Sequence, residues 1–195
     1  MTGQVIWITG LSGAGKTTLA RQLNCYLRKN HLSPVLLDGD VLRNIFKTAT
    51  IEEPSYSREA RINLGLSYGL LCKTLSTQGF TVIIATISMY NEIYRWNREN
   101  LENHLEIYLK VPLEELRVRD QKKIYQRYKD GLLKNVAGLD LSVDEPLSPD
   151  IVYDYTTTPF LWKRPANLVN DLMEKLGNSS YLCDERLRSL LREKE

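Results

Sequence analysis

Val5-Ile6-Trp7-Ile8-Thr9, followed by Gly10-Leu11-Ser12-Gly13-Ala14-Gly15-Lys16-Thr17-Thr18, sets the architecture of this chain. The first five residues are all β-branched or aromatic, the composition of a short buried strand. The next eight match GxxxxGK[ST] in full, and Leu19, Leu23 and Leu27 then recur on one helical face. A strand, a glycine-rich turn and a helix in that order form a phosphate cradle. Glycines let the backbone turn its N–H groups inward, and the helix offers unpaired N–H groups and a positive dipole end to the same anion. Lys16 is placed to reach the β and γ oxygens of a nucleoside triphosphate, and the Thr17 hydroxyl to ligate Mg²⁺.

Outward from the cradle, strands and helices alternate. Further strands are expected at Val35–Leu37, Thr81–Thr86, Leu105–Val111 and Ile151–Tyr153. Helices are expected from Thr17 to Lys29, from near Asp40, and over Ser57–Thr77, Glu92–Glu102, Leu113–Asp120 and Pro165–Leu176. Five such alternations specify an α/β fold of P-loop kinase type, with a mostly parallel sheet and helices on both faces. The stretch from Lys122 to Pro149 is charged and polar, with Gly131, Gly138 and Pro146. It reads as an excursion over the sheet edge, about 122–149, of the kind that serves as a lid. One domain over 1–177 is expected, with a helical tail over 178–195.

The 195 residues carry a net charge of +2 and no long basic run, which speaks against nucleic acid as a partner. No stretch approaches the ~18 apolar residues of a membrane span, and no secretory leader is visible, so a cytoplasmic location is expected. Cys25, Cys72 and Cys183 lie far apart and read as reduced thiols. His31 and His104 both stand in polar sequence surroundings without the clustered partners of a metal site.

The GTPase motifs are missing: the strand at Thr81–Thr86 ends without a carboxylate. Asp38-Gly39-Asp40 stands instead after the second strand, at a strand end that faces the cradle's crevice. Two carboxylates there can hold Mg²⁺ and accept the proton of an attacking hydroxyl, as in small-molecule kinases. A plainer role for Asp40 is to cap the helix that follows.

GLSGAGKTT at Gly10–Thr18 and LDGDVLR at Leu37–Arg43 together resemble the adenylylsulfate kinase family. The likeness continues through SREAR at Ser57–Arg61, IATIS at Ile84–Ser88 and PLEELRVRD at Pro112–Asp120. It runs on through KKIYQRYKDGLLKNVAGLD at Lys122–Asp140 and PDIVYD at Pro149–Asp154. The resemblance implies transfer of the γ-phosphoryl group of ATP to the ribose 3′-hydroxyl of adenylylsulfate, with Mg²⁺ as cofactor and a homodimer as the assembly. It implies that Gly10 to Thr18 and Arg119 bind ATP, Arg119 against the adenine. It makes Lys16, Asp38, Asp40 and Lys134 catalytic, and Thr17 and Asp40 the metal residues. Asp40, Arg43, Tyr56, Arg61, Asn63, Ile87, Ser88, Lys134 and Val136 would line the acceptor site.

The chain departs from the family pattern on the acceptor side: Val41 follows DGD, and Leu64, Leu66 and Ser67 stand where an asparagine and two arginines are usual. Met89 replaces a proline, and Val136 replaces a lid phenylalanine that stacks on the acceptor's base. Loss of one ring of a stacking pair weakens base binding by about 1–3 kcal/mol. A divergent branch of the family phosphorylates cytidine diphosphoramidate in capsule synthesis. Adenylylsulfate is the family's default acceptor and stands first on sequence grounds; the cytidine compound is the alternative. A nucleotide-binding module without turnover is the competing class, and the intact Lys16, Thr17, Asp38 and Asp40 argue against it.

Overall fold

A computed structural model of the chain describes residues 2–48, 57–163 and 165–177. Tyr56, Cys183 and the helical tail expected over 178–195 lie outside the described residues. Strands β1 (Val5–Thr9), β2 (Val35–Asp38), β3 (Val82–Ala85), β4 (His104–Lys110) and β5 (Ile151–Asp154) form one parallel sheet in the order β2-β3-β1-β4-β5. β1 is central, and its two neighbours come later in the chain on opposite sides. Its C-terminal end is therefore the topological switch point, the place where open α/β sheets hold their ligands.

All five residues of β1 are buried, as a strand covered on both faces requires. Ile6 and Ile8 face one layer, with Leu19, Leu23 and Leu27 of α1 (Lys16–Lys29) and Leu168 and Leu172 of α7 (Pro165–Gly177). Val5 and Trp7 face the other, with Tyr68 and Cys72 of α3 (Arg58–Thr77) and Ile93 of α4 (Asn91–Asn100). α2 (Gly39–Thr48) leads from β2 toward α3. α3 and α4 pack closely because Gly65 and Gly69 have no side chain. A Cβ at Gly65 would stand 2.2 Å from Ile93 Cδ1, and one at Gly69 would stand 2.6 Å from the Trp96 ring. Trp96 thus packs between helices.

The strand positions agree with the sequence reading to within a residue or two. The excursion differs. After α5 (Leu113–Arg119) it contains a helix of its own, α6 (Ile124–Lys129), whose Tyr125 is buried in the core. The Tyr125 hydroxyl donates to Ser12 O at 2.8 Å, tying α6 to the cradle. The Asp120 carboxylate accepts from the N–H groups of Tyr125 and Gln126 and caps the helix. Later in the excursion, Gly138 has a φ of +83°, and a Cβ there would meet Leu11 Cδ2 at 2.9 Å. The segment therefore lies against the cradle twice, and is part core rather than wholly an edge excursion.

His104 has the charged groups of Arg98 and Asp150 near it. It opens β4 at the sheet end opposite the cradle, and burial, then Arg98, lowers its pKa to about 4. Cys25 and Cys72 are free thiols, the first exposed and the second buried. Among the described residues no helix is long and apolar enough to cross a membrane.

Candidate active site

A cleft of about 800 Å³ opens at the C-terminal ends of β1, β2 and β3. The cradle forms its floor. Gly13 and Gly15 hold φ values of +81° and +97°, a left-handed backbone that β-carbon-bearing residues rarely adopt. Ser12, Gly13, Gly15, Lys16, Thr17 and Thr18 reach the cleft wall; Gly10, Leu11 and Ala14 support it from behind. Gly10 is needed there, since a Cβ would lie 2.6 Å from Leu109 O.

Lys16 Nζ donates to Leu11 O at 2.7 Å. Its pKa is pushed down to about 7, first by burial and then by Lys122, with Asp40 and Asp38 opposing. The Thr17 hydroxyl donates to Asp38 Oδ2 at 2.9 Å, and Asp38 Oδ1 accepts from the Asp40 N–H at 2.9 Å. Asp38, rather than Asp40, caps α2. The Asp40 side chain is 71% exposed and forms an ion pair with Lys122 across the cleft. Thr17, Asp38 and Asp40 are hard oxygen donors and fit Mg²⁺, though Thr17 is joined directly to Asp38 and not to Asp40. No group of three or more His, Cys, Asp or Glu side chains that could hold a metal ion exists among the described residues.

At one end of the cleft, the Arg119 guanidinium lies 4.9 Å from the Tyr155 ring centroid and 5.4 Å from that of Trp162, and its Nε donates to Glu115 at 2.9 Å. With the two rings inclined at 69° to each other, these groups make a cationic, aromatic corner, the Arg119 platform, beside Gly15, whose position for a Cβ is 3.7 Å from Trp162. Neither Tyr155 nor Trp162 is singled out by the sequence reading. The signal available is the aromatic pair flanking Pro159 immediately after β5.

At the far end, Arg43, Arg61, Ile87 and Ser88 line the cleft with Leu64, Tyr68 and Tyr90. Ser88 has a φ of +31° in the turn between β3 and α4, and its Oγ pairs with Thr86 Oγ1 at 2.8 Å. The Thr9 hydroxyl donates to Ile87 O, which fixes this turn to β1. Arg61 Nη2 donates to Asn135 O at 2.7 Å, so a residue expected to meet substrate also holds the excursion in place.

Three described residues expected at the acceptor site are not on the cleft wall. Asn63 is exposed on α3, because one helical step of 100° turns it away from the face shared by Arg61, Leu64 and Tyr68. Val136 is buried with its N–H held by the Asp140 carboxylate, which draws the backbone into a turn and takes the side chain off the cleft. Lys134 is exposed outside the cleft, since the same Asp140 turn, which also holds the Asn135 N–H, carries the chain away there. The excursion's cation in the cleft is Lys122, two positions after the Arg119-Asp120 pair.

The family model described as adenylylsulphate kinase matches residues 2–154. A cytidine diphosphoramidate kinase of Campylobacter jejuni is 41% identical over 142 residues, covering 73% of this chain and 81% of that protein. An adenylyl-sulfate kinase of Pseudomonas aeruginosa is 36% identical over 152 residues, covering 77% of this chain and 76% of its own length. In fold, the chain is similar to the Mycobacterium tuberculosis APS kinase solved with AMPPNP and APS, with a TM-score of 0.78 at 23% identity over 90% of this chain and 98% of that one. The chain belongs to the adenylylsulfate kinase family, enzymes that transfer a phosphoryl group to a hydroxyl acceptor.

Proposed function

We propose that this enzyme transfers the γ-phosphoryl group of ATP to the ribose 3′-hydroxyl of a small nucleotide, with cytidine diphosphoramidate as its preferred acceptor. The observation that carries the choice of acceptor is the makeup of the cleft's far end. Arginines for an anionic group remain there, but Leu64 replaces a polar contact and the excursion supplies no ring at Val136. A purine loses more from a missing stacking partner than a smaller pyrimidine does. The 41% relative named for the cytidine compound supports the same reading and reverses the order that sequence alone gives. Adenylylsulfate is the second reading, favoured by the family description and by Arg43, Arg61 and Ser88 in the cleft.

On this reading the cradle amides and Lys16 hold the polyphosphate of ATP, and the adenine lies on the Arg119 platform. Mg²⁺, held through Thr17 and Asp38, neutralises phosphate charge when bound. Asp40 takes the proton of the attacking hydroxyl, and Lys122 swings from Asp40 toward the transferring group. Phosphoryl transfer depends mostly on positioning and charge stabilisation, and these residues supply both.

The test is ADP release from Mg²⁺-ATP with the two acceptors in parallel. The cytidine compound is expected to show at least ~10-fold higher kcat/KM, a difference of about 1.4 kcal/mol. A preference of that size for adenylylsulfate would overturn the acceptor assignment and restore the family default.

A second expectation follows from Lys16. Its ammonium is largely deprotonated at pH 8 in the free protein, because burial holds its pKa near 7. Phosphate charges restore the protonated form. Binding of Mg²⁺-ATP at pH 8 therefore takes up close to one proton, and the uptake shrinks toward pH 6, where Lys16 is already charged. Calorimetry in buffers of different ionisation enthalpy reads this directly. Uptake that is absent at pH 8, or unchanged in Lys16→Ala, would contradict the placement of Lys16 on the phosphates.

A further inference from the structure

Tyr90 is 1% exposed, lines the cleft, and has a hydroxyl with no hydrogen-bond partner among the described residues. Most buried hydroxyls are satisfied, and each exception calls for a reason. Phenylalanine would fill the same space without an orphaned polar group, so folding gains nothing from the oxygen. Other orphaned groups, such as Trp7 Nε1 and the Asn97 amide, do not line the cleft. Trp162 Nε1 does, but at the Arg119 end.

The surroundings of Tyr90 are cationic. The Arg58 guanidinium lies over its ring, 5.1 Å from the centroid, and is itself held by Glu92 and Asp144. Asp144 also accepts from the Asn91 N–H at 3.1 Å, fixing the start of α4 next to Tyr90. The charges bearing on the hydroxyl are those of Arg61, Arg58 and Arg43, opposed by Asp144. Arg43 and Arg61 share the cleft wall with it. A fixed ring, an unused hydroxyl and two arginines at one end of a cleft suit a group with several exposed oxygens.

We propose that the Tyr90 hydroxyl hydrogen-bonds the anionic end of the acceptor nucleotide beside Arg43 and Arg61. This rests on the acceptor site proposed above, and it applies to a phosphoramidate or a sulfate end alike, since both offer oxygen acceptors. Tyr90 is then a binding and specificity residue.

The test is Tyr90→Phe, with Arg61→Ala as the reference for the site. Calorimetry on protein saturated with AMPPNP measures the Kd of each acceptor without turnover, and a thermal melt is recorded on the free protein. Tyr90→Phe is expected to raise the Kd of the acceptor the wild type binds by ~10-fold. AMPPNP affinity should stay within about twofold, and Tm should be equal or higher. A purely structural tyrosine would lower Tm and leave acceptor Kd unchanged. If Arg61→Ala weakens the acceptor and Tyr90→Phe does not, the Tyr90 proposal alone is overturned. If neither variant changes the Kd, or the wild type binds neither acceptor, the acceptor site itself is misplaced and both proposals fall.

Discussion

Lys16→Ala lowers turnover by at least ~10²-fold and raises the KM for ATP, while the protein stays folded. The size follows from losing a charge contact already aimed at the phosphates, in a site where little water screens it. The survival of the fold follows from what Lys16 does in the free chain. Its one hydrogen bond goes to Leu11 O, and its pKa near 7 means that burial works against its charge. Removing it strips no core packing and relieves that cost. The unfolded lysine binds its proton up to about pH 10.4, the folded one only up to about 7. The wild type therefore carries the full penalty below pH 7 and loses it as pH rises toward 10. Any gain in Tm from Lys16→Ala should be greatest at or below neutrality and fade in alkali. Near-normal turnover in this variant would remove Lys16 from the site, and a lower Tm would show that the free-state account is wrong.

The cradle was legible because motif and context agreed. A strand, a glycine turn and a helix are each recognisable from composition, and the phosphate chemistry needs all three. The five strands were legible for a similar reason, since strands covered on both faces carry continuous apolar runs. α6 was not. KIYQRYK is charged on most of its surface, and only Tyr125 marks the buried side, so no apolar period appears. The acceptor end divides the same way. That Asn63 leaves the cleft face could be deduced from helix phase, because Leu64 shares that face with Arg61 and Tyr68. The placements of Lys134, Val136 and Lys122 depend on a loop path fixed by the Asp140 turn and by the packing of Gly138 on Leu11, long-range contacts that no local pattern announces. The exchange between Asp38 and Asp40 is subtler. Either carboxylate can cap α2, and the hydroxyl of Thr17, 21 residues earlier, helps hold the first in that role and leaves the second facing Lys122.

That division of labour makes Asp40→Asn the sharpest probe of the chemistry. Asp40 is mostly exposed, and its ion pair is with Lys122, itself 53% exposed, so the pair adds about 0–1 kcal/mol to stability at most. Asparagine keeps the shape and removes the proton acceptor. Turnover is expected to fall at least ~10²-fold with the KM for ATP within a few-fold of wild type, because the lost interaction belongs to the transition state rather than to ATP binding. The Tm should stay within about 2 °C, as for an exposed polar exchange. Asp38→Asn should behave differently: it disturbs the Thr17 contact and the α2 cap together, so ATP binding and Tm both suffer. Lys122→Ala separates two accounts of the ion pair. If Lys122 only restrains Asp40 in the free enzyme, the variant is as active as wild type or more so. If it also meets the transferring group, turnover drops, and the double variant with Asp40→Asn loses less than the product of the two single losses, as expected for residues acting on one step. Near-normal turnover in Asp40→Asn would move the proton acceptor to Asp38. The cap would then be the catalytic carboxylate, and Asp40 a surface charge beside it.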